Sequence, residues 1–356
     1  MRSKLLFPLM ILLGLVSVAC SESRMEVEYM PVYLDSDQRM TLMSPDGSTV
    51  DYDFKGYVSP VVNGCFTVNG KRGYDVYRFG KKKAELIDGL ESLYWAGTVN
   101  EGLIPFRRKD DGKLEVADTD GEVRFSLGRD VYSNEYFMDG MLILRKSDTD
   151  TYESKWGAVN TKGEIAVKIK YSAIHDFREG CAPANIGEKW ILIDRNGEKL
   201  ADMKGVEAVF GSMVDGRIPV KKNDYWGFWK RDGEFTRLKS GLVVEGFNGR
   251  YALVYDDESG EWGVVDTEGT VVIPVKYDYV QFYGNDRFIV KRDDERWELL
   301  DTDGEKLFTI REEKVMSLKG VSPYYSGDFL IGGGDGRFDL YNSDGEKISG
   351  SRFNRL

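Results

Sequence analysis

The sequence predicts an all-β fold made of tandem repeats, and two observations support this. A short pattern ending in a glycine turn recurs nine times over residues 30–350, and no stretch shows the 3.6-residue apolar period of an amphipathic helix. A unit of about 36 residues cannot bury its apolar face alone, so neighbouring units must stack. We expect three or four strands per unit and a β-propeller-like toroid of about nine units, with an open β-solenoid as the alternative.

Each copy of the pattern contains a four-residue turn that ends in glycine. In seven copies the first turn residue is Ser, Asp or Asn, whose side chain accepts hydrogen bonds from the turn's own N–H groups. The segment Asp266–Gly269 therefore predicts a type I turn followed by a glycine at positive φ. Tyr77 and Lys230 occupy the first position in the other two copies, where we expect looser turns. The turn glycines are Gly47, Gly80, Gly121, Gly163, Gly197, Gly233, Gly269, Gly304 and Gly345.

A tryptophan precedes the turn glycine by seven residues in the clearest copies. These residues are Trp156, Trp190, Trp226, Trp262 and Trp297. A ligand site seldom needs the same group in every unit, so we expect the five side chains to pack between units. Upstream, a second glycine opens an apolar strand, and the polar stretch between that strand and the tryptophan varies in length. Such variation is typical of an exposed hairpin loop.

The pairs Trp156-Gly157, Trp226-Gly227 and Trp262-Gly263 each lead into a turn of the form Asn/Lys/Asp-x-x-Gly. These pairs, with the segment VVIPVKYDYVQF that begins at Val271, resemble the bacterial WG repeat, and the resemblance spans about residues 30–350. It implies a β-rich array in exposed or extracytoplasmic bacterial proteins, and it implies no activity. The positions assigned to the repeat framework are Trp156, Gly157, Gly163, Trp190, Gly197, Trp226, Gly227, Gly233, Trp262, Gly263, Gly269, Trp297 and Gly304.

The first nineteen residues are typical of a targeting segment. Arg2 and Lys4 precede an apolar run that is too short to span a bilayer, and small residues stand before Cys20. The pattern resembles a bacterial lipoprotein signal, which implies cleavage before Cys20 and lipidation of its thiol; the alternative is a secretory signal with an unrelated cysteine. Several acyl chains on one residue anchor a protein stably. We expect a signal peptide over 1–19, a linker over 20–29, the repeat domain over 30–350 and a tail over 351–356.

The composition of the chain argues against nucleic-acid binding and against histidine-based catalysis. The chain has 49 Lys+Arg against 60 Asp+Glu and a net charge of -11, so we expect no nucleic-acid partner. With His175 as its single histidine, it lacks the residues for a histidine-based triad or zinc site. We therefore expect no catalytic residue, metal or cofactor. Cys65 and Cys181 occupy equivalent positions three units apart, too far for a disulfide, and we predict that both are free and buried.

These observations predict a lipid-anchored, non-catalytic repeat protein of the cell envelope, in the outer membrane of a Gram-negative bacterium. It would present a binding surface to an envelope protein or a polysaccharide, and the lipid would be its contact with the membrane. The alternatives are a carbohydrate-active enzyme with two carboxylates in a propeller cleft and an outer-membrane assembly scaffold. Aromatic residues outside the repeat register are expected to be exposed and are the candidate ligand contacts: Trp95, Trp229, Tyr324 and Tyr325.

Overall fold

The structure is a computed structural model. It describes residues 27–33, 40–44, 48–52, 54–147, 153–283, 287–292, 296–310, 314–317, 330–333 and 339–341. Every regular element in these ranges is a β-strand, which confirms the all-β prediction. No helix long and apolar enough to cross a bilayer occurs within them. The first strand begins at Val27, so strand structure starts inside the segment that the sequence assigned to the linker.

The described strands form eight antiparallel sheets, numbered here in chain order. Sheet 1 contains β1 (Val27–Tyr33), β2 (Met40–Met43), β3 (Thr49–Asp51), β4 (Tyr57–Val58), β5 (Val61–Val62), β6 (Cys65–Gly70), β7 (Gly73–Arg78) and β8 (Glu85–Leu86). Sheet 2 contains β9 (Trp95–Ala96), β10 (Leu103–Arg107), β11 (Leu114–Asp118) and β12 (Val123–Ser126). Sheet 3 contains β13 (Val131–Ser133), β14 (Met141–Ser147), β15 (Ser154–Asn160) and β16 (Val167–Tyr171). Sheet 4 contains β17 (Ala173–Ile174), β18 (Cys181–Ile186), β19 (Lys189–Asp194) and β20 (Lys199–Asp202).

The remaining sheets continue the series. Sheet 5 contains β21 (Val206–Val209), β22 (Arg217–Lys222), β23 (Tyr225–Lys230) and β24 (Phe235–Arg237). Sheet 6 contains β25 (Leu242–Asn248), β26 (Tyr251–Asp256), β27 (Trp262–Asp266) and β28 (Val271–Tyr277). Sheet 7 contains β29 (Tyr279–Tyr283), β30 (Arg287–Lys291), β31 (Trp297–Leu300) and β32 (Lys306–Ile310). Sheet 8 contains β33 (Lys314–Ser317), β34 (Leu330–Gly333) and β35 (Asp339–Tyr341). In sheets 2 to 7 the four strands pair in chain order, as in the blades of a propeller, so the predicted β-propeller-like fold is confirmed.

Each four-stranded sheet begins one strand earlier than the glycine that seemed to open the unit. In sheet 3, the connection from β13 to β14 ends in the turn Asp139-Gly140, and both turn residues have positive φ, at 55° and 76°. Met138 and Met141 exchange backbone hydrogen bonds across this turn. The geometry is that of a type I′ hairpin, whose twist matches that of the flanking strands. The segment that leads to the glycine is therefore the first strand of the next sheet.

The Asp-x-x-Gly turns join the third and fourth strands as predicted. The Gly269 N–H donates to the Asp266 carbonyl at 3.0 Å, and Asp266 Oδ1 accepts from the N–H groups of Glu268 and Thr270. The prediction of a looser turn at Lys230 is wrong. The Gly233 N–H donates to the Lys230 carbonyl at 2.8 Å, and Gly233 has the positive φ of the regular turn. At Tyr77 the looser connection is confirmed, since β7 continues past it and β8 follows only at Glu85.

The glycine after the repeat tryptophan lies where two strands approach closely. A Cβ placed on Gly157 would lie 2.6 Å from the Val167 carbonyl oxygen, and one on Gly227 would lie 2.1 Å from the Thr236 carbonyl oxygen. In sheet 3 the register also shifts here, between Trp156 and Ala158. The third and fourth strands therefore leave no room for a side chain at this position, which explains the Trp-Gly pairing.

The apolar core lies between consecutive sheets. Trp156 of sheet 3 packs on a cluster that includes Ile174 and Ala182 of sheet 4. Trp190, Trp226 and Trp262 contact clusters that likewise draw residues from their own sheet and the next, whereas the cluster beside Trp297 comes from sheet 7. Burial of such clusters is the main favourable contribution to folding in repeat arrays.

Acidic residues in the type I′ turns connect one sheet to the next. Glu101 Oε2 accepts from the Gly140 N–H at 2.8 Å, and Asp139 Oδ2 accepts from the Gly180 N–H at 2.6 Å. Glu179 repeats the contact with the Gly216 N–H at 3.1 Å. We call Glu101, Asp139 and Glu179 the turn acids. Each sits next to the turn glycine of its own sheet and bonds the equivalent glycine of the following sheet.

Candidate functional site

An open cleft of about 560 Å³ lies where sheets 1, 2 and 3 meet. Its aromatic lining is Tyr74, Tyr94, Trp95, Tyr132 and Trp156. Its polar lining is Arg107, Ser133, Asn134 and Arg145. We call it the aromatic cleft. Its volume falls within the range of small-ligand sites, about 300–1,000 Å³.

Strand register places the aromatic cleft at one end of the sheets. Arg145 pairs with Trp156 two positions before Ser147 pairs with Ser154, where β14 passes to β15. The type I′ and Asp-x-x-Gly turns lie at the opposite end, because Met141 pairs with Asn160 there. The cleft therefore occupies the end at which the sequence predicted variable, exposed hairpin loops.

Two equivalent rows of paired residues supply four of the nine described lining residues. In sheet 2 the first two strands pair Trp95 with Arg107, and in sheet 3 they pair Tyr132 with Arg145. In sheets 4, 5 and 6 the first-strand position is occupied instead by Ala173, Ala208 and Val243. Sheet 7 has Tyr279 paired with Lys291 at this position, but the adjacent sheet 6 has Val243 there. An aromatic residue and an arginine occur in two adjacent sheets only at the cleft, among the sheets described.

Tyr132 lies between the two arginines. The Arg107 guanidinium carbon is 4.9 Å from the Tyr132 ring centroid, and that of Arg145 is 5.3 Å from it. Arg145 also lies 5.8 Å from the Trp156 ring centroid. Cation–π contacts at these distances hold each guanidinium over an aromatic face. Together they form a layer of alternating charge and ring.

The two arginines differ in how their N–H groups are used. Arg107 is 8% exposed and donates to the carbonyl oxygens of Gly112, Arg129 and Val131, so its donors are committed to backbone. Burial lowers the pKa of Arg107. The Arg145 guanidinium makes no hydrogen bond or ion pair with the described residues, and the residue lies half-buried. Its guanidinium donors are therefore the ones open to a ligand.

Two smaller polar residues complete the lining. Ser133 Oγ is buried and has no hydrogen-bond partner among the described residues. Asn134 Nδ2 donates to Asp176 Oδ1 at 3.1 Å, and Tyr136 Oη donates to the other oxygen of that carboxylate at 3.0 Å. Buried polar atoms are nearly always bonded in folded proteins, so the unbonded Ser133 hydroxyl is an exception in the wall of the cleft.

The two predicted ligand contacts that the structure describes, Trp95 and Trp229, lie in different environments. Trp95 lines the cleft. The expectation that Trp229 is exposed is wrong, because it is 1% exposed and pairs with Ile218 in the interior of sheet 5. Tyr324, Tyr325 and Cys20 lie outside the described residues. Sequence reasoning missed Tyr132, Arg107 and Arg145; the signal was the aromatic–arginine combination at one repeat position in two adjacent units.

The cysteines and the histidine are placed as expected. Cys65 and Cys181 are both free and buried, which confirms the prediction. Burial raises the pKa of each thiol to about 11. The His175 ring lies 5.6 Å from the Trp190 ring, and burial lowers the pKa of His175. No group of three or more His, Cys, Asp or Glu residues in the described part of the chain is arranged to hold a metal ion.

Comparisons with known proteins support the repeat assignment and the fold. The family described as WG containing repeat matches residues 156–190 and 262–297. No curated protein is significantly similar in sequence. A crystal structure of a eukaryotic initiation factor is similar at 13% identity and a TM-score of 0.57, covering 92% of this chain and 96% of that one. That likeness shows a shared fold.

Two further structures are more distant. BamB from Moraxella catarrhalis has 10% identity, covers 87% of this chain and 98% of its own, and has a TM-score of 0.41. Apo AztD from Citrobacter koseri has 10% identity, covers 92% of this chain and 96% of its own, and has a TM-score of 0.42. With its Trp-Gly pairs at the close strand approaches and its propeller-like sheets, the chain is a β-repeat protein that matches the WG containing repeat at residues 156–190 and 262–297.

Proposed function

We propose that this protein is a lipid-anchored, non-catalytic binding protein of the cell envelope that presents the loop-bearing end of its sheets to a polysaccharide or protein partner. The observation that carries the proposal is the aromatic cleft at that end. It combines exposed rings with an arginine whose guanidinium bonds none of the described residues, and none of the nine described residues that line it carries a carboxylate. Such a lining suits holding a ligand, whereas glycoside hydrolysis needs two carboxylates beside the bond that breaks.

The anchor rests on the lipoprotein-like signal that ends before Cys20. Lipidation there would hold the repeat domain at a membrane surface, which we propose is the outer membrane of a Gram-negative bacterium. Fractionation of native cells tests this part: the wild-type chain should sediment with membranes and incorporate labelled palmitate. The Cys20→Ala variant should do neither. Palmitate incorporation by Cys20→Ala would contradict the proposed anchor.

The binding role is tested by crosslinking the tagged, lipidated protein in its native cells and identifying what is recovered by mass spectrometry. A reproducible envelope protein, or retention on a polysaccharide array without release of sugar, supports the binding role. Release of soluble sugars by the purified protein would instead identify a carbohydrate-active enzyme. Recovery of neither protein nor glycan above the level of the Cys20→Ala control would overturn the proposal.

A further inference from the structure

We infer that the aromatic cleft binds an acidic sugar, a uronate residue of a polysaccharide, with its carboxylate on Arg145 and its ring against the cleft's aromatic side chains. The inference rests on the proposed binding function and gives it a ligand class.

The charge of the cleft argues for an anion. The whole chain carries a net charge of -11, yet the described residues that line the cleft include two arginines and no carboxylate. Neither arginine forms an ion pair with a described residue, whereas surface cations elsewhere are often paired, as Lys230 is with Glu234. A guanidinium binds a carboxylate through two parallel N–H···O bonds. Because the Arg107 guanidinium already donates to backbone carbonyl groups, Arg145 is the residue that would form these two bonds to a carboxylate.

The aromatic lining argues for a ring. Tyr94 is 68% exposed and Tyr132 is 49% exposed, which is unusual for side chains of this size beside a cleft. A sugar presents C–H groups on one face and hydroxyls at its edge, so it can cover an aromatic surface while keeping its polar groups hydrogen-bonded.

A peptide carboxylate fits the same charge but not the same shape. One common way to bind an extended peptide is to add it to an exposed strand edge, so that the peptide backbone supplies much of the affinity. The first strands at the cleft, β9 and β13, are only two and three residues long. They provide little backbone for such an addition. The described residues therefore favour a ligand held by side chains.

Isothermal titration of the purified full-length protein with oligogalacturonate, with a neutral cellulose oligosaccharide of equal length as the comparison, tests the inference. We expect the acidic ligand to bind and the neutral one to bind weakly or not at all. Arg145→Gln should weaken oligogalacturonate binding about ten- to a hundredfold, the range expected for a charge-assisted hydrogen-bond pair. The matched control is Arg237→Gln, because Arg237 stacks on Tyr225 in another sheet and lies outside the cleft.

The outcomes separate this inference from the proposed function. Equal binding of acidic and neutral oligosaccharides, or an unchanged affinity in Arg145→Gln that melts like the wild type, overturns the inference and leaves the binding role standing. The inference is also overturned, and the binding role again stands, if a protein partner is recovered, its crosslinking is unchanged in Arg145→Gln, and no glycan binds. Binding of neither oligosaccharide, together with no crosslinked partner, overturns both.

Discussion

The Asp139 carboxylate accepts a hydrogen bond from the backbone N–H of Gly180, which lies 41 residues later in the next sheet. The same carboxylate bonds the guanidinium of Arg195, also from sheet 4. Asp139 itself has a φ of 55° in a type I′ turn. One residue thus shapes the hairpin of its own sheet and ties that sheet to the following one.

Replacing Asp139 with alanine should lower the free energy of unfolding by about 1–3 kcal/mol, since the Gly180 N–H loses its partner and alanine tolerates positive φ poorly. Asp139→Asn keeps an acceptor oxygen and tolerates the turn, so it should cost less than half as much. Urea unfolding followed by tryptophan fluorescence measures both. Equal losses for the two variants would show that the charge toward Arg195, and not the bond to Gly180, is the stabilising contact.

Gly227 should be less tolerant of a methyl group than Gly233. A Cβ at Gly227 would overlap the Thr236 carbonyl oxygen, so β23 and β24 must separate, at a cost of about 3 kcal/mol. Gly233 has a φ of 90° and no atom within 4 Å of the added Cβ, so Gly233→Ala should cost about 1–2 kcal/mol of backbone strain. Thermal denaturation of the two variants compares them. A larger loss in Gly233→Ala would contradict the close-approach explanation of the Trp-Gly pair.

Stability should fall in alkaline solution because two buried thiols resist ionisation. The pKa of Cys65 and of Cys181 rises from 9.0 to about 11 on folding, so below pH 9 both thiols are protonated in both states and their contribution is fully present. Above pH 9 the unfolded chain loses these protons first, and the contribution is lost as pH rises through 11. Urea midpoints measured from pH 8 to 11 should fall.

The matched variant for this pH dependence is the double substitution Cys65→Ala and Cys181→Ala. It should show a shallower fall above pH 9 than the wild type, since the remaining decline would come from other groups. A thiol reagent should label neither cysteine in the folded protein at pH 8 and both in urea. An equally steep decline in the double variant would assign the alkaline loss elsewhere.

Trp229 and Trp95 should respond differently to truncation, although both stand outside the repeat register. Trp229 is 1% exposed within the core of sheet 5, so Trp229→Ala should cost about 3–5 kcal/mol of unfolding free energy. Trp95 is half-buried at the cleft and leaves a smaller cavity, so Trp95→Ala should cost less. Urea unfolding of both variants measures the difference. A greater loss in Trp95→Ala would contradict the placement of these two rings.

The local chemistry of the chain predicted the repeats and their turns, because those features need only neighbouring residues. Asp266 bonds N–H groups two and four residues ahead, a geometry set by the turn itself. The sequence also predicted free, buried Cys65 and Cys181 from their equivalent positions in separate units. It assigned the segment before each type I′ turn to the preceding unit; in sheets 2 and 3 the first strand has only two or three residues, which leaves no periodic signal.

By itself, the sequence determined an all-β array, its repeat period and the turn that closes each unit, because alternation, glycine and Asx side chains act over a few residues. Only the tertiary structure decided that Trp229 is core while Tyr132 is exposed, and that Arg107 and Arg145 flank one ring from two sheets. The burial of these side chains and their contacts depend on which sheets pack against each other. Contacts such as Asp139 with Gly180 join residues about one repeat apart, and stacking alone brings them together.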